Sequence, residues 1–131
     1  MRFLIHGGVR REAVAALAAK EHVCGTLPEL LAAAETPADE PSGLAELLAL
    51  LERRQWNLLT TDAELVRDVY DKKAAFGGVI VLVLEAAAQD QGHAIERLLE
   101  RYRRLTPGRL YTITPNRVKI RQLPGAAQRK P

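Results

Sequence analysis

The sequence predicts an α/β fold: a three-layer α/β/α sandwich with a mainly parallel sheet, finished by a C-terminal β-hairpin. Three observations predict it. Val79-Ile80-Val81-Leu82-Val83-Leu84 is an unbroken apolar run led in by Gly77-Gly78, the pattern of a strand buried on both faces. Short apolar segments alternate along the chain with stretches of helical spacing. Ala and Leu supply 20 residues each, so helix should outweigh strand. A chain of 131 residues makes one domain. It is expected over residues 1–124, with a disordered tail at 125–131.

The elements follow in order. Residues 2–6 form a first strand, broken by Gly7-Gly8. Val9, Ala13, Val14, Ala16 and Leu17 recur at helical spacing and make the first helix. His22-Val23-Cys24 reads as a short second strand. Pro28 suits the first turn of a helix that runs to Glu35. Residues 36–43 are a loop in which two prolines bracket Asp39 and Glu40. Leu44, Leu47, Leu48 and Leu51 form the apolar stripe of a third helix. Residues 56–60 are a strand, and Thr61 or Asp62 caps a helix over about 63–72. Beyond the strand at 79–84, residues 92–105 form a basic amphipathic helix with Ile95, Leu98, Leu99 and Tyr102 on its apolar side. Thr106-Pro107-Gly108 stops it. Residues 110–114 and 117–122 alternate around Pro115-Asn116 as a hairpin.

Composition narrows the function classes. At 47% hydrophobic and 27% charged, the chain can bury a core and is not a disordered polymer. Aromatics are only 5%, which argues against a stacking platform for single-stranded nucleic acid. Cys24 is alone, so there is no internal disulfide and no cysteine zinc site, and a reducing, cytoplasmic setting is expected. Met1-Arg2-Phe3-Leu4-Ile5-His6 lacks the long apolar stretch of a signal peptide. The run at 79–84 is too short to cross a bilayer. Ser42 is the only serine, which weighs against a serine hydrolase.

Charge is uneven. Residues 1–66 hold 6 basic and 10 acidic residues, and residues 67–131 hold 13 basic and 6 acidic, for a net charge of +3. Arg97, Arg101, Arg103 and Arg104 fall on a broad helix face with Arg109 close behind. They can track an RNA backbone, serve an acidic partner protein, or stand as a solvated face.

In a parallel sheet, ligands sit outside the carboxyl ends of the strands. His6 ends the first strand and Asp62 follows the third. Asp39 and Glu40 lie in a loop leading to a helix, and Glu64 stands in a helix first turn, with Asp68 behind. Carboxylates converging there would bind divalent cations through oxygen, and two such ions about 3.5–4 Å apart can drive phosphodiester cleavage. The plainer readings are an N-cap for Asp62, a dipole-facing acid for Glu64 and a solvated loop for Asp39-Glu40. Cys24 reads as a small buried hydrophobe, His22 and His93 as surface histidines, and Trp56 as core. Gly77-Gly78 is a turn without the Lys-Ser/Thr of a phosphate loop.

Met1-Arg2-Phe3-Leu4-Ile5-His6, Asp39-Glu40 before a Leu-rich helix, and Leu58-Leu59-Thr60-Thr61-Asp62-Ala63-Glu64-Leu65 together resemble the PIN-like domain family. The similarity is to small prokaryotic members whose first strand ends in Leu-Ile-Asp-Glu-Asn. Gly77-Gly78-Val79-Ile80-Val81-Leu82 and the final hairpin ending in Leu123-Pro124 also fit, so the resemblance covers nearly the whole chain. It implies a ribonuclease fold dependent on Mg2+ or Mn2+, the toxin of a toxin–antitoxin pair, acting on RNA, with an antitoxin partner and a homodimer. By position, Asp39 or Glu40 matches the family's middle acid, Asp62 its third-strand aspartate, and Glu64 a frequent further aspartate. His6 departs: the family has an essential aspartate there, followed by an acid and an amide where this chain has Gly7 and Gly8. Imidazole suits magnesium poorly. Three readings of His6 follow: a ligand for manganese or zinc, a proton donor or phosphate-binding group, or a site that has lost its nuclease activity while the fold is kept for binding; a strand-end histidine before Gly-Gly is also compatible with a plain hydrogen-bonded surface histidine.

Overall fold

In a computed structural model of the protein, residues 1–32, 43–84 and 90–124 are described. The strands are β1 (Arg2–His6), β2 (Val23–Gly25), β3 (Asn57–Thr60), β4 (Ile80–Val83), β5 (Arg109–Ile113) and β6 (Val118–Gln122). The helices are α1 (Arg11–Ala18), α2 (Leu27–Ala32), α3 (Leu44–Arg54), α4 (Ala63–Asp71) and α5 (Gln91–Arg101). All six strands form one sheet in the order β2-β1-β3-β4-β5-β6. Every pairing from β2 through to β5 is parallel, and only β5–β6 is antiparallel.

Strand alternation builds two cores. Phe3, Leu59, Val81, Val83, Tyr111 and Ile113 pack with Ala13 and Leu17 of α1 and Ile95 and Leu98 of α5. Their neighbours Leu4, Leu58, Ile80, Leu82 and Leu110 pack with Leu30 of α2, Leu48 and Leu51 of α3, and Val66 and Val69 of α4. Both faces of β1, β3 and β4 are thus buried, which is why the run around Val81 carries no polar alternation. The expected three-layer architecture with its terminal hairpin is the one the chain forms.

The differences are at element ends. The basic helix stops at Arg101, not at residue 105, because Tyr102 turns extended (φ −123, ψ 90). Its ring then meets Tyr111 edge-on at 5.6 Å, and Leu105 is buried in the first core, so the apolar pattern past Arg101 anchors a connector. The second strand starts at Val23, one residue later than expected, because His22 N–H returns to Leu17 O and closes α1. Gly25 ends that strand where a Cβ would lie 2.8 Å from the Trp56 ring. The expected continuation of the second helix to Glu35, the 36–43 loop up to Ser42, and the expected disordered tail lie outside the described residues. No helix among the described residues is long and apolar enough to cross a membrane.

The topology sets where chemistry can gather. Each of α1, α4 and α5 follows one strand and returns to the start of the next parallel strand. Helix N-termini therefore lie at the carboxyl edge of the sheet and helix C-termini at the amino edge. The α2–α3 connection carries the chain from β2 past β1 to β3. The strand order therefore switches direction at β1 and β3, the position where a crevice opens in doubly wound sheets.

Candidate functional site

A cleft of about 450 Å³ opens at that position, lined by His6 from β1, Asp62, Glu64 and Asp68 around α4, and Leu4, Leu27, Leu44, Leu47 and Leu65. Gly43, at the N-terminus of α3, also lines it. The leucines make an apolar floor and the acids one wall.

His6 is half-buried on the same face of the sheet as Leu4, opposite Thr60 in the β1–β3 register. Its Nδ1 lies 3.0 Å from Thr60 Oγ1, and Thr60 is fully buried. Thr60 Oγ1 also accepts from Asp62 N–H at 3.0 Å. The Thr60 hydroxyl proton needs an acceptor of its own, and among the described residues His6 Nδ1 is the one in reach. In the tautomer that satisfies this hydroxyl, Nδ1 accepts and the neutral ring carries its proton on Nε2. In that tautomer His6 offers the cleft an N–H donor, not a lone pair. Ligating a cation through Nε2 would require moving that proton to Nδ1 and stranding the buried hydroxyl, at a cost of about 1–3 kcal/mol.

Asp62 is the N-cap of α4, with Oδ1 accepting from Glu64 N–H at 3.0 Å and Leu65 N–H at 3.2 Å. Both bonds use the same oxygen, and Oδ2 has no protein partner among the described residues. The capping role and an outward carboxylate oxygen coexist. Glu64 and Asp68 are exposed and four residues apart, hence on one helix face. That spacing is the signal that moves Asp68 up beside Glu64.

The loop after β1 is folded down onto the start of α4. Gly7 has φ +76, and a Cβ there would come within 2.8 Å of Thr61 Oγ1, a backbone state that side chains other than glycine resist. Gly8 N–H donates to Thr61 Oγ1 at 2.7 Å. Gln91, 1% exposed, holds the same loop from the other side: its Oε1 accepts from Arg10 N–H at 2.6 Å and its Nε2 donates to Gly8 O at 2.9 Å. Sequence reasoning missed Gln91, whose only signal is a polar residue opening an apolar helix.

Asp39 and Glu40 lie outside the described residues, so the cleft is known with His6, Asp62, Glu64 and Asp68. Among the described residues no group of three or more His, Cys, Asp or Glu could hold a metal ion. By themselves they do not fit a Mg2+ or Mn2+ centre.

The arginines do not join the cleft. Arg97 is a clamp on the β5–β6 turn, donating from Nη1 to Pro115 O at 2.9 Å and from Nη2 to Thr114 O at 3.1 Å. Arg101, Arg103, Arg104 and Arg109 are exposed, but they lie at the C-terminus of α5 and the start of β5, the opposite edge of the sheet. His22 is half-buried, edge-on to Phe3, with Nδ1 accepting from the Met1 ammonium at 3.0 Å. Burial, and then that ammonium charge, lower its pKa from the ordinary histidine value. Burial pushes the Cys24 thiol up, so it is a protonated, half-buried strand residue and not a thiolate nucleophile. His93 is exposed. No protein-family model matches the chain, and no curated protein or solved structure is significantly similar to it.

Proposed function

We propose that the chain is a PIN-like domain of the prokaryotic toxin–antitoxin type with a degenerate metal site, binding RNA or a partner protein with weak or no nuclease activity. The observation that carries this reading is the His6–Thr60 hydrogen bond. The first-strand position that would supply a carboxylate to a metal centre carries an imidazole engaged with Thr60 instead. A ligand carboxylate is lost there, and with it a negative charge that would hold a divalent cation. The sheet switch point beside β1 and β3, and the carboxylates of Asp62, Glu64 and Asp68 around the cleft, support the same fold-level reading. Asp39 and Glu40 remain the candidates for the middle acid. A cytoplasmic setting and a homodimer belong to the same proposal.

The test is cleavage of single-stranded RNA in Mg2+ and in Mn2+, with Mn2+ calorimetry alongside. Wild-type protein should cleave little in Mg2+, and His6→Asp should gain Mn2+ affinity. Robust wild-type cleavage in Mg2+ that vanishes in Asp62→Asn would replace this reading with the alternative, an active endoribonuclease in which His6 is an altered metal-site residue. No gain of Mn2+ binding in His6→Asp would remove the account of His6 as the weakened corner.

A further inference from the structure

The charge split of the sequence takes a different form in the fold. Arg2 starts β1, Arg53 and Arg54 end α3, Arg103 and Arg104 lie in the α5–β5 connector, and Arg109 starts β5. All six therefore lie at the amino edge of one parallel sheet, although three come from the acidic half of the sequence. Lys72 and Lys73, just past α4, extend the same edge. Helix dipoles account for Arg53, Arg54 and Arg101, which occupy the last turns of α3 and α5. No helix end calls for Arg2, Arg103, Arg104 or Arg109.

The acids at this edge are Glu21, Glu52, Asp71 and Glu100. Glu52 is engaged by Gly77 N–H at 2.5 Å. Arg103, Arg104 and Arg109 make no side-chain hydrogen bond or ion pair among the described residues, so their guanidinium forks are open. A cavity of about 430 Å³ lined by Lys20, His22, Leu99, Glu100 and Arg103 opens beside them.

We infer that the amino edge of the sheet is a docking surface for the phosphate backbone of a nucleic acid, separate from the cleft at the carboxyl edge. It deepens the RNA-binding part of the proposed function by giving it a place. The composition of the charged edge favours a phosphate chain over an acidic protein. The cations are mostly arginine, whose planar fork matches phosphate oxygens two at a time. The edge is not without apolar surface: Met1 and Val23 are exposed beside Arg2, and Trp56 and Pro107 line a cavity of about 430 Å³ between Arg53-Arg54 and Arg109, so it is the guanidinium chemistry that points to phosphate. Strands of four to five residues separate the two edges by about 15 Å. A strand held along the arginines is therefore docked away from His6 and Asp62, and binding is separable from any chemistry in the cleft.

The test uses the full chain and fluorescence anisotropy with a labelled 15-nucleotide oligouridylate at low and at moderate potassium chloride. Arg103→Glu/Arg104→Glu and Arg53→Glu/Arg54→Glu should each raise Kd about tenfold or more at low salt and flatten the salt dependence. Arg11→Glu/Arg117→Glu is the control: it changes the net charge equally, but both residues lie at the carboxyl edge, and Kd should move less than about threefold. Oligothymidylate of equal length should bind comparably, and polyglutamate should compete poorly. Trp56 emission and circular dichroism confirm that each variant is folded. The inference is overturned if wild-type protein does not bind the oligonucleotide, if the edge variants bind like wild type, or if the control loses as much as they do. Competition by polyglutamate would overturn it in favour of an acidic protein, and a strong preference for RNA over DNA would overturn recognition through the backbone alone. None of these variants touches the cleft, so RNA cleavage reads the proposed function independently.

Discussion

Replacing Thr60 by Val removes one hydroxyl from the fully buried end of β3 and nearly preserves shape. Two interactions go with it: the acceptor for Asp62 N–H and the donor to His6 Nδ1, both at 3.0 Å. Orphaning the Asp62 N–H costs about 1–3 kcal/mol. His6 is half-buried, so water can replace its lost partner in part. The new methyl, buried on the face it shares with Leu58 and Leu82, returns up to about 0.8 kcal/mol. The balance is a net destabilisation of about 1–2 kcal/mol, read by urea denaturation with an unchanged m-value. The more discriminating measurement is the double-mutant cycle with His6→Ala. If the hydrogen bond is made as described, the two substitutions couple by about 0.5–1.5 kcal/mol. Histidine NMR should also show His6 protonated at Nε2 in its neutral form. Additivity within about 0.3 kcal/mol, or a proton found on Nδ1, would refute the reasoning about His6 and with it the argument against metal ligation.

Other consequences follow from the same geometry. Asp62→Ala should destabilise the protein by about 1 kcal/mol while Asp62→Asn stays within a few tenths, because asparagine caps as well as aspartate; equal losses in chemical denaturation would mean that the cap is not the source of the effect. Gln91→Ala strips partners from Arg10 N–H and Gly8 O at once and should cost about 2–4 kcal/mol, with faster hydrogen exchange at Arg10; unchanged exchange there would show that Gln91 does not hold the loop. His22 has a lowered folded-state pKa, so the unfolded chain binds more protons as pH falls through the ordinary value of about 6.5. Its contribution is complete above that pH and is lost progressively below it. The urea midpoint of wild type should therefore fall more steeply below that pH than that of His22→Gln, and parallel pH profiles would contradict the assignment.

Much of the fold is legible locally. The run at 79–84 reads as a doubly buried strand because its side chains have no solvent face to alternate toward. Asp62 reads as a cap because an N-cap needs only a carboxylate beside two free N–H groups. The α5 boundary is not legible, because Tyr102 and Leu105 continue the apolar spacing after the backbone has left the helix, and spacing alone does not report φ and ψ. In the site, His6 and Asp62 are visible as strand-end residues. Thr60 is not, since a threonine in a buried strand looks like β-propensity until its partner is known. Gln91 is invisible for the same reason, its partner Gly8 lying 83 residues away.

The sequence by itself therefore determined the elements, their order, the helix caps, and the histidine that ends the first strand, all of which are properties of neighbours along the chain. The tertiary structure decided the strand order β2-β1-β3-β4-β5-β6, and with it the encounters between distant residues in the cleft and at the amino edge. It brought His6 to Thr60 across 54 residues, gave a histidine of open role a buried partner, and drew arginines from both the acidic and the basic half of the chain to one edge. The physical reason is that local preferences fix backbone dihedrals a few residues at a time. Which strands become neighbours is decided by the burial of two whole apolar faces at once, and no short stretch of sequence carries that sum.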